Sequence, residues 1–131
     1  MIVYIAGPLF SEIERTLLEE VNRVCKDLGF DTFLPHRDAG LISKGTDEKI
    51  IFKKDKAGID TCQMIIAILS GNDIDSGTAW ELGYAFSKNI KCIGLVTDSR
   101  LTTLNPMISQ SAKLVHSIKE LRMVLKNVHN L

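Results

Sequence analysis

Apolar and polar residues alternate along the chain in blocks that predict strands separated by helices. The apolar run Met64–Leu69 predicts a central parallel strand buried on both faces. The predicted strands are Ile2–Ala6, Asp31–Leu34, Met64–Leu69, Lys91–Val96 and Leu114–His116, and the predicted helices are Phe10–Leu28, Thr46–Thr61, Gly77–Lys88 and Ile118–Val128. The alternation predicts one α/β domain over residues 1–131, a doubly wound (flavodoxin-like or Rossmann-like) parallel sheet of about five strands with helices on both faces.

Two polar segments between these elements are predicted to be loops. The segment His36–Gly45 is longer than the roughly two to six residues usual at such a junction, which favours a functional role. The segment Thr97–Ser111 is predicted to be a loop with one helical turn at most. The predicted helix Thr46–Thr61 carries three isoleucines that are expected to point into the core, namely Ile50, Ile51 and Ile59.

The helix start that follows the central strand combines a carboxylate with small, apolar neighbours. Asp75 or Ser76 can cap this helix by accepting a backbone N–H bond. Because helical side chains lean toward the N-terminus, the Glu81 carboxylate should lie above Gly77 and Thr78, which leave room for a substrate. The turn after a strand of a parallel sheet is also where such folds bind ligands.

The alternative for Glu81 is a solvated surface position, which is the commonest fate of a glutamate. No Lys or Arg lies three or four residues away to pair with it. Its neighbours Trp80, Leu82 and Tyr84 are not typical of a solvated face. The pattern therefore favours a functional carboxylate.

The loops after strands one to four of such a sheet converge on one edge, so four groups of residues could share a site. These groups are Tyr4 with Gly7–Phe10, His36–Asp38, Asp75–Glu81, and Thr97–Asn105. Each has a structural alternative. Tyr4 on a strand is usually core, although a buried hydroxyl needs a partner such as a carboxylate. His36–Asp38 can be a solvated loop. Asp55 lies among lysines, and these neighbours alone favour an acid on the helix surface.

Charge and composition narrow the classes of partner. Lys plus Arg and Asp plus Glu number 16 each, so no net field attracts nucleic acid or an acidic membrane. No apolar run approaches the roughly 18–20 residues that span a bilayer, and the N-terminus reads as a strand and not a signal peptide. Cys25, Cys62 and Cys92 fit buried free thiols in a reducing cytoplasm. The absence of CxxC and HExxH patterns gives a metal site little support.

The first loop is not a phosphate-binding loop. Gly7–Phe10 has neither GxGxxG nor GxxxxGK[ST] spacing, and it contains no Arg or Lys. Phosphates usually recruit such groups, so this loop counts against a phosphorylated substrate.

Several segments of the chain together resemble the nucleoside 2-deoxyribosyltransferase family, in the family's order and over nearly the whole chain. They are Tyr4–Phe10, Phe33–Asp38, Asp55–Ile59, Asp75–Ala85 and Asn105–Met107. The Asp-x-Gly-x-x-x-Glu-Leu-Gly-Tyr-Ala pattern is the specific one, whereas Gly-Pro-Leu-Phe alone would be weak. The resemblance implies an enzyme that cleaves the N-glycosidic bond of 2′-deoxynucleosides through a covalent deoxyribosyl-glutamate intermediate and transfers the sugar to another free nucleobase.

The resemblance also implies roles for the matching residues. Glu81 matches the nucleophile that attacks the anomeric carbon, and Tyr4 matches the tyrosine whose hydroxyl holds that carboxylate. Asp55 and Asp75 match two acids on the base side. The other expected substrate-binding positions are Gly7, Phe10, His36, Asp38, Ser76, Gly77, Asn105 and Met107. No metal or organic cofactor is expected.

The segment that includes Asn105, with Met107, matches the one that reaches the sugar 5′-hydroxyl, often across a subunit interface. The resemblance therefore implies a homodimer or a larger homo-oligomer with composite sites.

Two alternatives stay open. A related 2′-deoxynucleoside 5′-monophosphate N-glycosidase would use the same glutamate with water as acceptor. Such relatives tend to carry an Arg in the first loop, where this chain has none nearer than Arg15 on the helix, and Asp75 would repel a phosphate. Ser11 and Ser76 keep this alternative open. The second alternative is a non-catalytic nucleotide-binding module, for which Glu81→Ala would change binding alone.

Overall fold

The described residues form a five-stranded sheet with six helices in a computed structural model. The structure describes residues 1–9, 11–40, 47–70, 74–97 and 104–128. The strands are β1 Ile2–Ala6, β2 Asp31–Phe33, β3 Met64–Leu69, β4 Lys91–Val96 and β5 Lys113–Val115. The helices are α1 Glu12–Asp27, α2 Pro35–Asp38, α3 Glu48–Thr61, α4 Ser76–Ser87, α5 Pro106–Ser109 and α6 Ile118–Lys126. Phe10, one of the expected binding residues, lies outside the described residues.

All strand pairs are parallel, and the order across the sheet is β2-β1-β3-β4-β5. The prediction of a doubly wound parallel α/β sheet is confirmed. Because the order reverses between β1 and β3, the carboxyl ends of these two strands form the crevice where such folds bind ligands. No helix in the described ranges is long and apolar enough to cross a membrane.

The sheet separates two hydrophobic clusters because successive strand residues point to opposite faces. On β1, Val3 and Ile5 join the cluster formed with α1 and α6, whereas Tyr4 and Ala6 join the cluster formed with α3 and α4. All six residues of β3 are buried, as expected of a central strand covered on both faces. Tyr4 is thereby directed toward α3 and α4.

Two local predictions were wrong. The segment His36–Gly45 is not entirely a loop, because α2 starts with a proline at its first turn, where the missing N–H is not needed. Leu41–Gly45 lies outside the described residues. Ile50 is 50% exposed while Ile51 and Ile59 are buried. Adjacent helical residues differ in direction by about 100°, so Ile50 and Ile51 cannot both face the sheet.

Candidate active site

A tyrosine and a glutamate meet at the crevice between β1 and β3. Tyr4 lies on β1 and is fully buried, and Glu81 lies on α4, the helix that follows β3. The Tyr4 hydroxyl donates a hydrogen bond to Oε2 of Glu81. Burial and the charge of Glu81 raise the pKa of Tyr4, so its hydroxyl stays protonated and acts as a donor. The contact joins two residues that are 77 positions apart in the sequence.

Close packing behind Tyr4 fixes its ring. Tyr4 and Phe33 stack with ring centroids 5.2 Å apart and an interplanar angle of 9°. Phe33 in turn packs on Gly58 of α3, where a Cβ would lie 2.9 Å from the phenylalanine ring. This glycine costs helix stability on its own, but it lets α3 approach the sheet closely enough to hold the aromatic pair.

Burial makes Glu81 an unusual carboxylate. Burial is the largest cause that raises its pKa, to about 7; the Tyr4 hydrogen bond lowers it, and the nearby acids Asp55 and Asp75 raise it. Both protonation states of Glu81 are therefore populated near neutral pH. A carboxylate held largely out of water is also a stronger nucleophile than a hydrated one.

Asp55 is a second perturbed acid and is not the solvated surface residue that its lysine neighbours suggest. It is half-buried on α3, and its Oδ1 atom is buried without a hydrogen-bond partner among the described residues. Burial raises its pKa to about 6. A buried, unpaired carboxylate oxygen is costly, so this atom is well suited to meet a polar group of a ligand.

Glu81 and Asp55 face the same pocket, which has a volume of about 270 Å³. Its lining residues are Phe52, Asp55, Lys56, Ile59, Gly77, Trp80 and Glu81. Four of these were not expected from the sequence to be site residues, namely Phe52, Lys56, Ile59 and Trp80. Helical spacing indicates two of them, because Phe52 and Ile59 lie three residues before and four residues after Asp55 and so share its side of the helix.

Asp75 and its neighbours form the start of α4 beside this pocket. Asp75 Oδ2 accepts from the backbone N–H of Thr78 at 3.2 Å and from its hydroxyl at 3.3 Å, so Asp75 is the N-cap. Ser76 is exposed in the first turn. Gly77 lines the pocket, and a Cβ there would meet only Asp75 Oδ2, at 3.3 Å.

The structure gives three other expected binding residues local roles away from the pocket lining. A Cβ on Gly7 would lie 3.2 Å from both Leu18 and Ile68, so this glycine allows close packing. His36 Nε2 lies 2.9 Å from Glu19 Oε1 on α1. Asp38 accepts from the Leu34 N–H at 2.9 Å and from Arg37 at 2.7 Å; the Arg37 hydrogen bond lowers the pKa of Asp38.

Asn105 and Met107 lie at the short helix α5. Asn105 caps this helix, since its Oδ1 accepts from the Met107 N–H at 2.9 Å. Leu104 and Ile108 pack into the cluster formed with α3 and α4. The Met107 side chain is 80% exposed, and neither Asn105 nor Met107 lines the pocket.

The described residues hold no group of three His, Cys, Asp or Glu side chains arranged to bind a metal ion. The pocket instead combines apolar walls with two acids of raised pKa, Glu81 and Asp55. Such a pair can supply a nucleophile and a proton donor to one bond.

Fold and pocket together define a doubly wound α/β protein with a two-carboxylate site at its topological switch point. The chain belongs to the nucleoside 2-deoxyribosyltransferase family, whose model matches residues 3–124. Enzymes of this family act on the N-glycosidic bond of nucleosides or nucleotides.

Solved structures agree with this assignment. A conserved protein from Enterococcus faecalis V583 is 27% identical, with a TM-score of 0.83 and coverage of 98% of each chain. A 2-deoxyribosyltransferase from Bacillus psychrosaccharolyticus is 25% identical, with a TM-score of 0.82 and coverage of 93% of this chain and 90% of the other. A CMP N-glycosidase from Clostridium botulinum shares the fold at 19% identity, with a TM-score of 0.68 and full coverage of both chains. No curated protein matches the chain.

Proposed function

We propose that this protein is a nucleoside 2-deoxyribosyltransferase that moves deoxyribose from one nucleobase to another through a covalent sugar–Glu81 intermediate. The observation that carries the proposal is the part-buried Glu81 carboxylate, held by the Tyr4 hydroxyl in one pocket with Asp55. Membership of the family supports the same reaction.

In the first half-reaction the Glu81 carboxylate attacks the anomeric carbon as the N-glycosidic bond breaks. The bonding electron pair leaves with the base nitrogen, and Asp55 gives the base a proton. Positive charge develops on the sugar in the transition state, and a nearby carboxylate stabilises this charge and then traps the carbon. Tyr4 orients the attacking oxygen, while Asp75 acts on the base side.

In the second half-reaction the incoming base attacks the same carbon and releases Glu81. Asp55, now ionised, takes up the proton that the incoming base loses, so protons and electrons balance over the cycle. Two inversions give net retention of configuration and ping-pong kinetics. The raised pKa of Asp55, about 6, lets it exchange a proton near neutral pH.

We also propose that Asn105, with Met107, binds the 5′-hydroxyl of the sugar in a composite site of a homo-oligomer. Both residues lie outside the pocket lining, and Met107 is highly exposed, as expected for a segment that serves a neighbouring subunit. A neutral amide matches a hydroxyl, whereas a phosphate would favour a charged partner.

Product analysis tests the proposed reaction. The protein is incubated with deoxyinosine or thymidine, with and without adenine, and the products are separated by chromatography. Transfer predicts deoxyadenosine in the presence of adenine, with little free deoxyribose when adenine is left out. Glu81→Gln serves as the inactive control. Release of free deoxyribose at the same rate with or without adenine would contradict transfer and indicate hydrolysis.

One contact favours a second candidate, a 5′-monophosphate N-glycosidase. Arg15 on α1 reaches back to the first loop, where its Nη1 donates to the Leu9 carbonyl at 2.9 Å. This places a guanidinium beside the loop after β1, although the loop itself carries no basic residue. The test compares deoxynucleosides with their 5′-monophosphates for the wild type, Arg15→Ala and the exposed control Arg23→Ala. A preference for monophosphates that only Arg15→Ala removes would establish this candidate in place of the transferase.

A further inference from the structure

Three aromatic rings form a row that crosses from α3 to α4 at the edge of the pocket. The rings of Phe52 and Trp80 pack edge to face, with centroids 5.7 Å apart and an angle of 68°. The rings of Trp80 and Tyr84 stack at 5.2 Å with an angle of 11°. Phe52 and Trp80 line the pocket beside Asp55 and Glu81. The two helices therefore present an aromatic wall, made of Phe52 and Trp80, next to the two acids.

Polar contacts behind the wall hold it in place. The Tyr84 hydroxyl donates to Asp60 at 2.5 Å, and Asp60 also accepts from Lys88 at 2.9 Å and from Lys56 at 3.0 Å. Both ammonium groups lie over the Tyr84 ring, at 5.3 and 5.4 Å from its centroid. Tyr84 is thus anchored from several sides, and it fixes the indole of Trp80 that stacks on it.

Both residues of the wall are large and apolar, yet Phe52 is 53% and Trp80 is 48% exposed. Exposed apolar side chains are common singly, but two aromatic rings in contact with each other at the edge of a pocket form a contiguous patch, which is typical of a ligand-binding surface. A flat heteroaromatic ring suits this surface, because its faces stack on aromatic side chains while its polar edge meets carboxylates. A deoxyribose ring suits it less well, because the indole N–H of Trp80 is the one polar group on the two rings that its hydroxyls could meet.

We infer that the aromatic wall of Phe52 and Trp80 is the surface that binds the nucleobase and sets base affinity in this protein. Phe52 lies one helical turn before Asp55, so a base held by the wall stays beside the acid that protonates it. The wall also holds the acceptor base while the sugar remains on Glu81. This inference deepens the proposed function and rests on it for the role of the base.

Trp80 makes a direct binding assay possible, because it is the only tryptophan in the chain. Wild-type protein is titrated with free adenine or cytosine without a nucleoside donor, and tryptophan fluorescence is recorded. The inference predicts saturable quenching. It also predicts that Phe52→Ala weakens base binding by roughly tenfold, on the scale of one lost base–aromatic stack. Phe86→Ala is the matched control, since Phe86 is another exposed aromatic residue of α4 that does not line the pocket.

The kinetic counterpart is a change in the KM of the acceptor base. Trp80→Ala and Phe52→Ala should each raise this KM by about tenfold, while Trp80→Phe, which keeps an aromatic face, should restore most of the loss. If an alanine variant fails to fold, Phe52→Leu keeps apolar volume and removes the ring. Unchanged base affinity and unchanged KM in folded variants would overturn the inference.

The outcomes separate this inference from the proposed function. Quenching by a free base that Phe52→Ala weakens supports the wall even if no transfer is measured. Transfer by the wild type with unchanged base affinity in Phe52→Ala overturns the wall and leaves the transferase proposal intact. A Phe52→Ala variant with an altered oligomeric mass and unaltered base affinity would also overturn the inference, because a second copy of the chain would then cover the rings.

Discussion

Replacing Glu81 with glutamine should remove activity and at the same time stabilise the folded protein at alkaline pH. The amide keeps the size of the side chain and an oxygen that can accept the Tyr4 hydrogen bond, but it is neutral and a poor nucleophile. Loss of the nucleophile should lower turnover by at least about a thousandfold. The gain in stability follows from relief of a buried charge.

The size of that gain follows from the pKa of Glu81. Folding raises this pKa from 4.5 to about 7, chiefly through burial. At about 1.4 kcal/mol per pKa unit, ionised Glu81 costs the folded state about 3 kcal/mol. Because the folded-state pKa is the higher one, the cost is absent below pH 4.5, grows as the pH rises toward 7, and is complete above it. The variant should therefore be more stable than the wild type by about 3 kcal/mol at pH 8 and barely different at pH 4.

Urea denaturation of both proteins at pH 8 and pH 4, followed by circular dichroism, measures this difference. Glu20→Gln is the matched control, because Glu20 is an exposed glutamate of α1, and its replacement should leave stability nearly unchanged at both pH values. Equal stability of wild type and Glu81→Gln at pH 8, or a gain that is the same at both pH values, would show that ionised Glu81 does not destabilise the folded protein.

Three further predictions concern the other site residues. Tyr4→Phe should keep the fold, judged by circular dichroism, and lower kcat about tenfold, the scale of one charge-assisted hydrogen bond; an unchanged kcat would argue against its role. The pH profile of kcat/KM should be bell-shaped with its maximum between about pH 6 and pH 7. Asp55→Asn should remove the decline on the alkaline side, and an unchanged decline would mean that Asp55 is not the acid. Asn105→Ala should raise the KM of deoxynucleosides but not that of 5′-deoxy analogues. Mixing Asn105→Ala subunits with Glu81→Gln subunits should restore part of the activity, and no restoration would argue against composite sites.

Strong local signals explain why most of the fold could be predicted from the sequence. The strands Ile2–Ala6, Met64–Leu69 and Lys91–Val96 have the predicted bounds, because continuous apolar runs between polar or turn-forming residues leave few other arrangements. The short helix α2 was missed because its polar residues dominate the pattern, although Pro35 is a known helix starter. Ile50 was placed in the core because adjacent isoleucines do not reveal which of them faces the sheet.

The candidate site was only partly predictable, since it depends on contacts between distant segments. The position of Glu81 after the central strand indicated a functional carboxylate, whereas its contact with Tyr4, on another strand, was expected from the family resemblance and not from local spacing. Asp55 shows how local sequence can mislead. Its lysine neighbours indicate a surface acid, but the packing of α3 buries one of its oxygens. The pairing of Phe52 with Trp80 could not be predicted, because no sequence pattern shows that α3 and α4 bring these two rings together.

The most direct test of the central claim is detection of the sugar on Glu81. The wild type is mixed with a deoxynucleoside, quenched with acid during turnover, digested, and analysed by peptide mass spectrometry, with Glu81→Gln treated in the same way. Covalent catalysis by Glu81 predicts a deoxyribosyl ester on the peptide that contains Glu81 and none in the variant. Turnover without an adduct at Glu81, or with an adduct on another residue, would contradict it.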